Sequence, residues 1–231
     1  MSYYNGPKIV TNGMVMCLDL GSSKCYPKSG TSLNDLSQMG GTVSTGGSPT
    51  FSSNNMGYMT FDGSTQYINM SRSDLNAGTW AYSNVTAMAW VNIDNTSTTG
   101  DNNIMTVESS WEYRWNNQNN GTSVLYYASN PWAWYGPSSA VTNGVWQMLT
   151  FRHDASNGDL FCNDQRIYTQ AISGTIGGGS GTYPNLTVMS RLSGGLSWAK
   201  GNMAMAIVYN RALSNSEIAQ NYNATKKRFG L

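Results

Sequence analysis

Glu108 and Glu112, four residues apart in the segment VESSWEYRW, are the carboxyl groups of this chain that could do acid–base chemistry together. Glycoside hydrolysis needs such a pair, in which one carboxyl group acts as acid and the other as base or nucleophile. The same spacing also arises by chance at the rim of a strand. The pair is therefore a candidate catalytic site, with an ordinary strand end as the alternative.

Aromatic side chains are densest between residues 111 and 135. Trp111, Tyr113 and Trp115 alternate along a predicted strand, so they share one face of it. That face either presents stacked rings to a sugar or another subunit, or fills the inside of the fold. The sequence leaves both alternatives open, and we take the three residues as predicted ligand or subunit contacts.

Trp132, Trp134 and Tyr135 form a second aromatic group between Pro131 and Pro137. The flanking prolines predict a loop, where packing into the core of the same subunit is less favoured. Tryptophan and tyrosine are enriched at interaction surfaces. We therefore predict that this loop is exposed or contacts a ligand or another subunit.

Asp154 and Asp159 are the two candidates for a metal site. They bracket a predicted turn and could supply two oxygens, whereas Ca²⁺ takes six to eight oxygen ligands. Aspartate also forms turns by hydrogen bonding to the nearby backbone, and we favour that role here. The prediction is no metal and no cofactor, with Ca²⁺ as the alternative.

The composition excludes two classes of partner. Charged residues make up 11% of the chain, and 13 basic against 12 acidic side chains give a net charge of +1. This leaves no electrostatic footprint for a nucleic acid. No stretch approaches the roughly 18 apolar residues of a membrane span, and the first residues lack the basic and apolar regions of a signal peptide.

The three cysteines are Cys17, Cys25 and Cys162. An odd number and no readable secretory leader favour free thiols in a reducing compartment. Whether Cys17 and Cys25 pair across a loop remains open.

Several segments alternate apolar and polar or small residues with a period of two, which is typical of β-strands. They include MVMCLDL, YMTFDGSTQYINM, VTAMAWVNI and WQMLTFR. Together with 25 glycines and short Gly/Ser loops, they indicate many short strands joined by turns. We predict an all-β fold, an antiparallel two-sheet β-sandwich, in a single domain over residues 1–231.

Two local features are specific. Asn163 and Asp164 are predicted as the central residues of a β-hairpin turn, because both tolerate a positive φ. Ser214 and Glu217 form the S-x-x-E capping box that begins one short C-terminal helix. The basic residues 226–228 that follow are predicted as a solvated helix end, with a phosphate or partner contact as the alternative.

These segments, in this order, resemble the concanavalin A-like lectin/glucanase superfamily, in particular its laminin-G-like jelly rolls. The most specific unit is IVYNRALSNSEI, in which a strand is followed by the capping box. The resemblance implies two antiparallel sheets packed as a jelly roll. The opening NGPKIVTNGMV and the ending NATKKRFGL further resemble jelly-roll proteins that tailed bacteriophages, especially large phages of cyanobacteria, carry as virion components.

The resemblance also shows where catalytic and calcium-binding residues depart from the family pattern. The glucanases of the superfamily carry Glu-x-Asp-x-Glu on a strand, and Ser110 replaces the central aspartate between Glu108 and Glu112. Many relatives carry an acidic pair after Phe-Asp-Gly, where Thr65 and Gln66 stand here. We therefore expect no enzyme, with a glycoside hydrolase using Glu108 and Glu112 as the alternative.

The function that this sequence favours is structural. We expect a phage virion protein, either a capsid decoration or a tail or fibre component, that associates with itself and with other virion proteins. A homo-oligomer is expected, with a trimer favoured, located in the virion and assembled in the host cytoplasm. The alternative is a carbohydrate-binding adhesin or lectin whose tryptophan-rich loop stacks on host surface polysaccharide.

Overall fold

The computed structural model describes residues 7–37, 39–71, 84–94, 101–107, 110–116, 123–129, 132–137, 140–172, 185–191 and 194–231, with only the backbone at 101, 116, 123–129 and 132–135. Numbered in chain order, the strands are β1 (Met14–Asp19), β2 (Ser32–Leu33), β3 (Thr42–Gly46), β4 (Thr50–Ser52), β5 (Tyr58–Asp62), β6 (Tyr67–Ser71), β7 (Val85–Ile93), β8 (Asp101–Val107), β9 (Trp111–Asn116), β10 (Ser123–Ser129), β11 (Trp132–Tyr135), β12 (Gln147–His153), β13 (Asn157–Cys162), β14 (Gln165–Ala171), β15 (Leu186–Val188) and β16 (Lys200–Tyr209). One α-helix, α1, spans Asn215–Thr225.

The strands form two antiparallel sheets. In the first sheet the order is β14-β13-β12-β7-β16-β5-β4, and β1 pairs with β16 beside β5. In the second sheet the order is β11-β10-β9-β8-β15-β6-β3-β2. The prediction of an all-β, antiparallel two-sheet sandwich with one short C-terminal helix is confirmed.

The main core lies between the two sheets. Small residues of β7, such as Ala87 and Ala89, are fully buried there, as the alternation in VTAMAWVNI predicts. Phe151 of β12 reaches across to the second sheet, where its ring centroid lies 5.9 Å from that of Trp111. Apolar contact between the sheets therefore fixes which face of each strand points inward.

A second apolar cluster covers the outer face of the first sheet. Trp90 stacks on Phe229, with 4.2 Å between ring centroids, and donates a hydrogen bond of 2.7 Å to the Thr225 hydroxyl at the end of α1. The amino-terminal segment joins the same layer, because Asn221 accepts a hydrogen bond from the Val10 amide at 2.7 Å. The segment before β1 and the helix after β16 therefore pack together on the outer face of the first sheet.

Two local sequence predictions are confirmed. The β13–β14 hairpin pairs Cys162 with Gln165, and Asn163 has a φ of 59°. The capping box of Ser214 and Glu217 is complete. The basic segment after α1 is partly anchored rather than solvated, because Arg228 forms an ion pair of 2.8 Å with Asp19.

The described residues contain no α-helix that has both the length and the apolar character needed to cross a bilayer.

Glu217 of the capping box makes the stability of the fold depend on pH in the acid range. Arg211 donates hydrogen bonds of 2.6 and 2.9 Å to its two carboxylate oxygens. These bonds, more than any other interaction, lower the pKa of Glu217 from the ordinary 4.5 to about 2. A carboxyl group whose folded pKa is depressed stabilises the fold above its unfolded pKa, and that contribution is lost as the pH falls through the folded value.

We therefore expect Glu217→Gln to flatten the stability curve between pH 4.5 and about 2. Urea unfolding of both proteins between neutral pH and pH 2 measures this. Equal pH slopes of the two proteins over that interval would contradict the role of Glu217.

Candidate functional site

Outward-facing polar side chains form one continuous row across the second sheet. Each of them lies next to a residue of the main core on its strand, so the alternating residues point away from that core. We call this set the polar row. It consists of Ser32, Ser44, Asn69, Thr187, Thr106 and Glu112, each paired in register with the next.

Burial increases along the polar row. Ser32 at one end is exposed, whereas Thr187, Thr106 and Glu112 are buried. Burying a polar group without a partner costs free energy. On a sheet face that simply contacted water, these three side chains would therefore be exposed. The row therefore runs from the surface into a secluded polar region over β15, β8 and β9.

Several buried polar atoms in this region lack a hydrogen-bond partner. They are Asn69 Oδ1 and Thr106 Oγ1 in the row, and both side-chain polar atoms of Asn103 and Ser190 Oγ beside it. Leaving such an atom unsatisfied costs about 1–3 kcal/mol, and native proteins keep few of them. A cluster of buried donors and acceptors is therefore left without partners in this region.

Glu112 is held between two arginines. Its Oε2 lies 3.0 Å from Arg114 Nη2, and its Oε1 lies 3.0 Å from Arg191 Nε. Arg114 is 8% exposed and Arg191 29%. A buried charge is tolerated when it is paired in this way, and Arg191 brings a strand-end loop onto the face of β9.

The backbone around this cluster departs from regular geometry. The β8–β9 register shifts between Asn103 and Met105, which marks a β-bulge. Met189, the residue before Ser190, has a φ of 63° although it is fully buried. Bulges and non-glycine residues at positive φ recur next to functional sites, where the surrounding structure holds them in place.

Tyr67 gives the same face an aromatic ring. It precedes Asn69 by two residues on β6, so the two share a face. A Cβ on Gly46 would lie 2.2 Å from the Tyr67 ring, and one on Gly194 would lie 2.1 Å from it. Glycine at these two positions therefore lets the half-buried ring lie flat between neighbouring backbones.

For Trp111, Tyr113 and Trp115, the structure selects the core alternative. All three are fully buried in the cluster between the sheets, and the Tyr113 ring centroid lies 6.3 Å from that of Phe151. Burial raises the pKa of the Tyr113 phenol well above its ordinary value. The main core buries all three rings, so they leave no surface for a direct contact with a ligand.

Trp132, Trp134 and Tyr135 do not lie in a loop as predicted. They form strand β11, which pairs with β10 and places Trp132 opposite Ser129. Their aromatic rings suit a strand, and this preference outweighed the flanking prolines. Their register is informative, since Trp134 pairs with Tyr127 and Tyr127 with Glu112, which continues the line of the polar row.

Asp154 and Asp159 do not share a turn or a ligand set. Asp154 accepts backbone hydrogen bonds from Ser156 and Asn157, as the turn role predicts. Asp159 is instead a buried residue of β13, and its Oδ2 lies 2.6 Å from Arg152 Nη2. Among the described residues, no group of three His, Cys, Asp or Glu side chains could hold a metal ion.

The turn after Phe-Asp-Gly is closed by Asp62. Its carboxylate accepts hydrogen bonds from the amides of Ser64, Thr65 and Gln66. Partial burial alone would raise the pKa of Asp62, but these bonds outweigh it and hold the pKa well below the usual range. Thr65 and Gln66, where relatives carry acids, therefore serve the turn.

The remaining candidates contribute little to the site. Glu108 lies outside the described residues. Cys17, Cys25 and Cys162 are free thiols, and burial raises the pKa of Cys17 to about 12, which makes its thiolate scarce.

Sequence reasoning missed Asn69, Asn103, Thr106, Thr187 and Arg191. Each looks like an ordinary strand or loop residue when it is taken alone. The signal that could have found the row is the alternation itself, since Asn69, Thr106 and Thr187 each lie between two apolar neighbours. Their convergence depends on the strand order, which local patterns do not specify.

The sequence matches a family model, and the fold matches solved structures. A Laminin_G_3 family model, described as Concanavalin A-like lectin/glucanases superfamily, matches residues 43–219. No curated protein matches the sequence. The binding domain of botulinum neurotoxin DC, in complex with SialylT, superposes with a TM-score of 0.67 at 14% identity, over 94% of this chain and 52% of that one.

Two further solved structures share the fold. The ligand-binding domain of botulinum neurotoxin serotype D, in complex with N-acetylneuraminic acid, has a TM-score of 0.68 at 14% identity and covers 92% of this chain and 51% of its own. Domain 4 of AbnA, a GH43 extracellular arabinanase from Geobacillus stearothermophilus in complex with arabinotriose, has a TM-score of 0.64 at 14% identity, with 90% and 98% covered. The chain spans about half the length of the toxin domains.

Proposed function

Because the chain belongs to the concanavalin A-like lectin/glucanases superfamily, we propose that it is a carbohydrate-binding module whose ligand lies along the polar row of the second sheet. The observation that carries this proposal is the set of buried, unpartnered donors and acceptors at Asn69, Asn103, Thr106 and Ser190. A saccharide presents many hydroxyl groups in a small volume, and each can donate and accept a hydrogen bond.

The aromatic positions support a saccharide over a smaller polar ligand. Tyr67 lies on the face of the row, two residues before Asn69 on β6, and the backbone register of β11 and β10 places position 134 in line with Glu112. An aromatic ring packs its flat apolar face against a ligand while its polar atom remains free to bond. The saccharide complexes of the toxin domain and of the arabinanase domain are consistent with this ligand class.

Binding is favoured over bond cleavage by the state of Glu112. Each of its oxygens already contacts a guanidinium group at 3.0 Å. A catalytic carboxyl group must reach the glycosidic oxygen or the anomeric carbon, and Glu112 would have to leave an arginine to do so. We propose that it instead positions Arg114 and Arg191 beside the ligand. Turnover of a polysaccharide that disappears in Glu108→Gln would support an enzyme instead.

A matched pair of substitutions tests the position of the ligand. Thr106→Val and Thr150→Val each remove one buried hydroxyl that has no partner, the first on the polar row and the second on β12 of the first sheet. We expect Thr106→Val to weaken binding of a glycan-array hit about tenfold, because a lost hydrogen bond in a secluded site is worth about 1–3 kcal/mol. Thr150→Val should bind like the unsubstituted protein.

Calorimetric titration measures both affinities, and thermal melting shows that both variants fold. Neither variant should melt lower by more than a few degrees, since each replaces an unsatisfied polar atom with a methyl group of similar size. Equal affinities of the two variants would show that the ligand does not lie on the polar row. Failure of the protein to bind any glycan would contradict the proposed function.

The predicted virion role remains a separate proposal. It rests on the resemblance of the two ends of the chain to phage jelly-roll proteins. The first of these segments packs against α1 on the outer face of the first sheet, where the Gln220 side chain donates a hydrogen bond of 2.7 Å to the Lys8 carbonyl. Light scattering separates the two proposals, because a trimer or larger particle favours a structural subunit and a monomer that binds glycans favours a lectin.

A further inference from the structure

A groove of about 430 Å³ opens beside the end of α1, on the opposite side of the sandwich from the polar row. Its apolar lining comes from Ile9, Met56, Met205 and Ala224. Small-molecule sites have volumes of about 300–1,000 Å³ and mostly apolar walls. The groove therefore has the size and lining of a small-ligand site, and it is independent of the carbohydrate proposal.

The wall of the groove formed by Met56 is exposed and is not packed into the core. Met56 is 70% exposed and has a φ of 62°, next to Asn55 at 49° and Gly57 at 113°. Arg228 donates hydrogen bonds to the carbonyls of both neighbours, at 3.3 and 3.0 Å. An exposed methionine held in a strained backbone conformation is an adaptable contact surface, not a core residue.

The polar end of the groove carries excess positive charge. Arg228 is neutralised by Asp19 at 2.8 Å, whereas Lys227 lines the groove and makes no ion pair with any residue that the structure describes. An anionic group seated there would meet an ammonium group at the end of an apolar channel.

The groove continues inward beneath α1. A cavity of about 10 Å³, room for one water, shares Ile9, Met205 and Thr225 with it and is also lined by Met88 and Met148. Methionine side chains are flexible and polarizable, so such a cavity can adjust its shape around a chain of methylene groups.

We propose that this groove binds a soluble single-chain anionic amphiphile, whose alkyl chain follows Met56 and Met205 toward the cavity and whose acid group pairs with Lys227. The apolar lining accounts for the alkyl chain, and the unpaired ammonium group accounts for the acid. Neither feature suits a neutral saccharide.

Titration with dodecanoate below its micellar concentration tests the proposal. The comparison ligand is pentaethylene glycol dodecyl ether, a neutral amphiphile with the same chain length and no sugar. We expect saturable binding of dodecanoate by the whole chain and about tenfold weaker binding by Lys227→Glu, since reversing the charge opposes the acid group. Lys226→Glu is the matched control, because Lys226 lies 5.0 Å over the Tyr222 ring and does not line the groove. Its affinity should stay within twofold.

Ala224→Trp tests the groove without changing its charge, because the larger side chain fills the groove from the half-buried surface of α1. It should abolish dodecanoate binding while glycan binding on the second sheet is retained. Equal losses in the two lysine variants, unchanged binding in Ala224→Trp, or stronger binding of pentaethylene glycol dodecyl ether than of dodecanoate would each overturn the proposal. Co-sedimentation with phosphatidylglycerol vesicles without binding of free dodecanoate would also overturn it, in favour of a membrane surface.

Discussion

Replacing Arg152 by methionine is expected to destabilise the protein by about 3–5 kcal/mol, because it leaves the buried carboxylate of Asp159 without its close partner. The two side chains are 10% and 2% exposed, and Asp159 Oδ2 accepts hydrogen bonds of 3.0 and 2.6 Å from Arg152. Arg152 also donates to the Leu213 carbonyl and to Asn215 Oδ1, which ties β12 to the start of α1. Urea unfolding measures the change.

Arg166→Met is the control for this experiment. Arg166 contacts the other oxygen of Asp159 at 3.6 Å, but its side chain is 48% exposed, so its removal should cost no more than about 1 kcal/mol. The double variant Arg152→Met/Asp159→Leu should regain part of the stability lost in Arg152→Met, because no buried charge is left alone. Equal stability of Arg152→Met and Arg166→Met would show that the buried pair does not hold the hairpin.

Replacing Trp111 by alanine is expected to destabilise the protein by about 3–5 kcal/mol, the usual cost of emptying a large aromatic position in a core. Trp111 is fully buried and packs against Phe151 of the opposite sheet. Leu196→Ala is the comparison, since Leu196 is 48% exposed and should change stability by no more than about 0.5 kcal/mol. Thermal and urea unfolding measure both variants.

The same variant distinguishes a core residue from a binding residue. Under conditions where Trp111→Ala is fully folded, its glycan affinity should match that of the unsubstituted chain within about threefold. A variant that melts normally but no longer binds glycan would instead identify Trp111 as a ligand contact and contradict its assignment to the core.

Local patterns in the sequence predicted the elements of the fold well. The alternation of Ala87 and Ala89 with Met88 and Trp90 correctly assigns small residues to the tight inner face and large ones to the outer cluster. The capping box at Ser214 depends only on residues three apart, so it too is visible in the sequence. Such features involve contacts between near neighbours along the chain.

The candidate site could not be predicted in this way, because its members meet only through strand order. Glu112 contacts Arg191, 79 residues later in the sequence, and Thr106 joins Thr187 through the insertion of β15 between β8 and β6. The assignment of Trp111 required knowing which face of β9 points toward the first sheet. A one-residue change of register would have moved Trp111 outward and Glu112 into the core.

The polar row is the surface where we propose that a saccharide binds. Side-chain amide resonances report this directly when the protein is titrated to saturation with a glycan-array hit. We expect the NH₂ signals of Asn69 and Asn103 to shift, while those of Asn92 on β7 and Asn221 on α1 remain in place. Shifts confined to Asn92 or Asn221, with Asn69 and Asn103 unchanged at saturation, would contradict it.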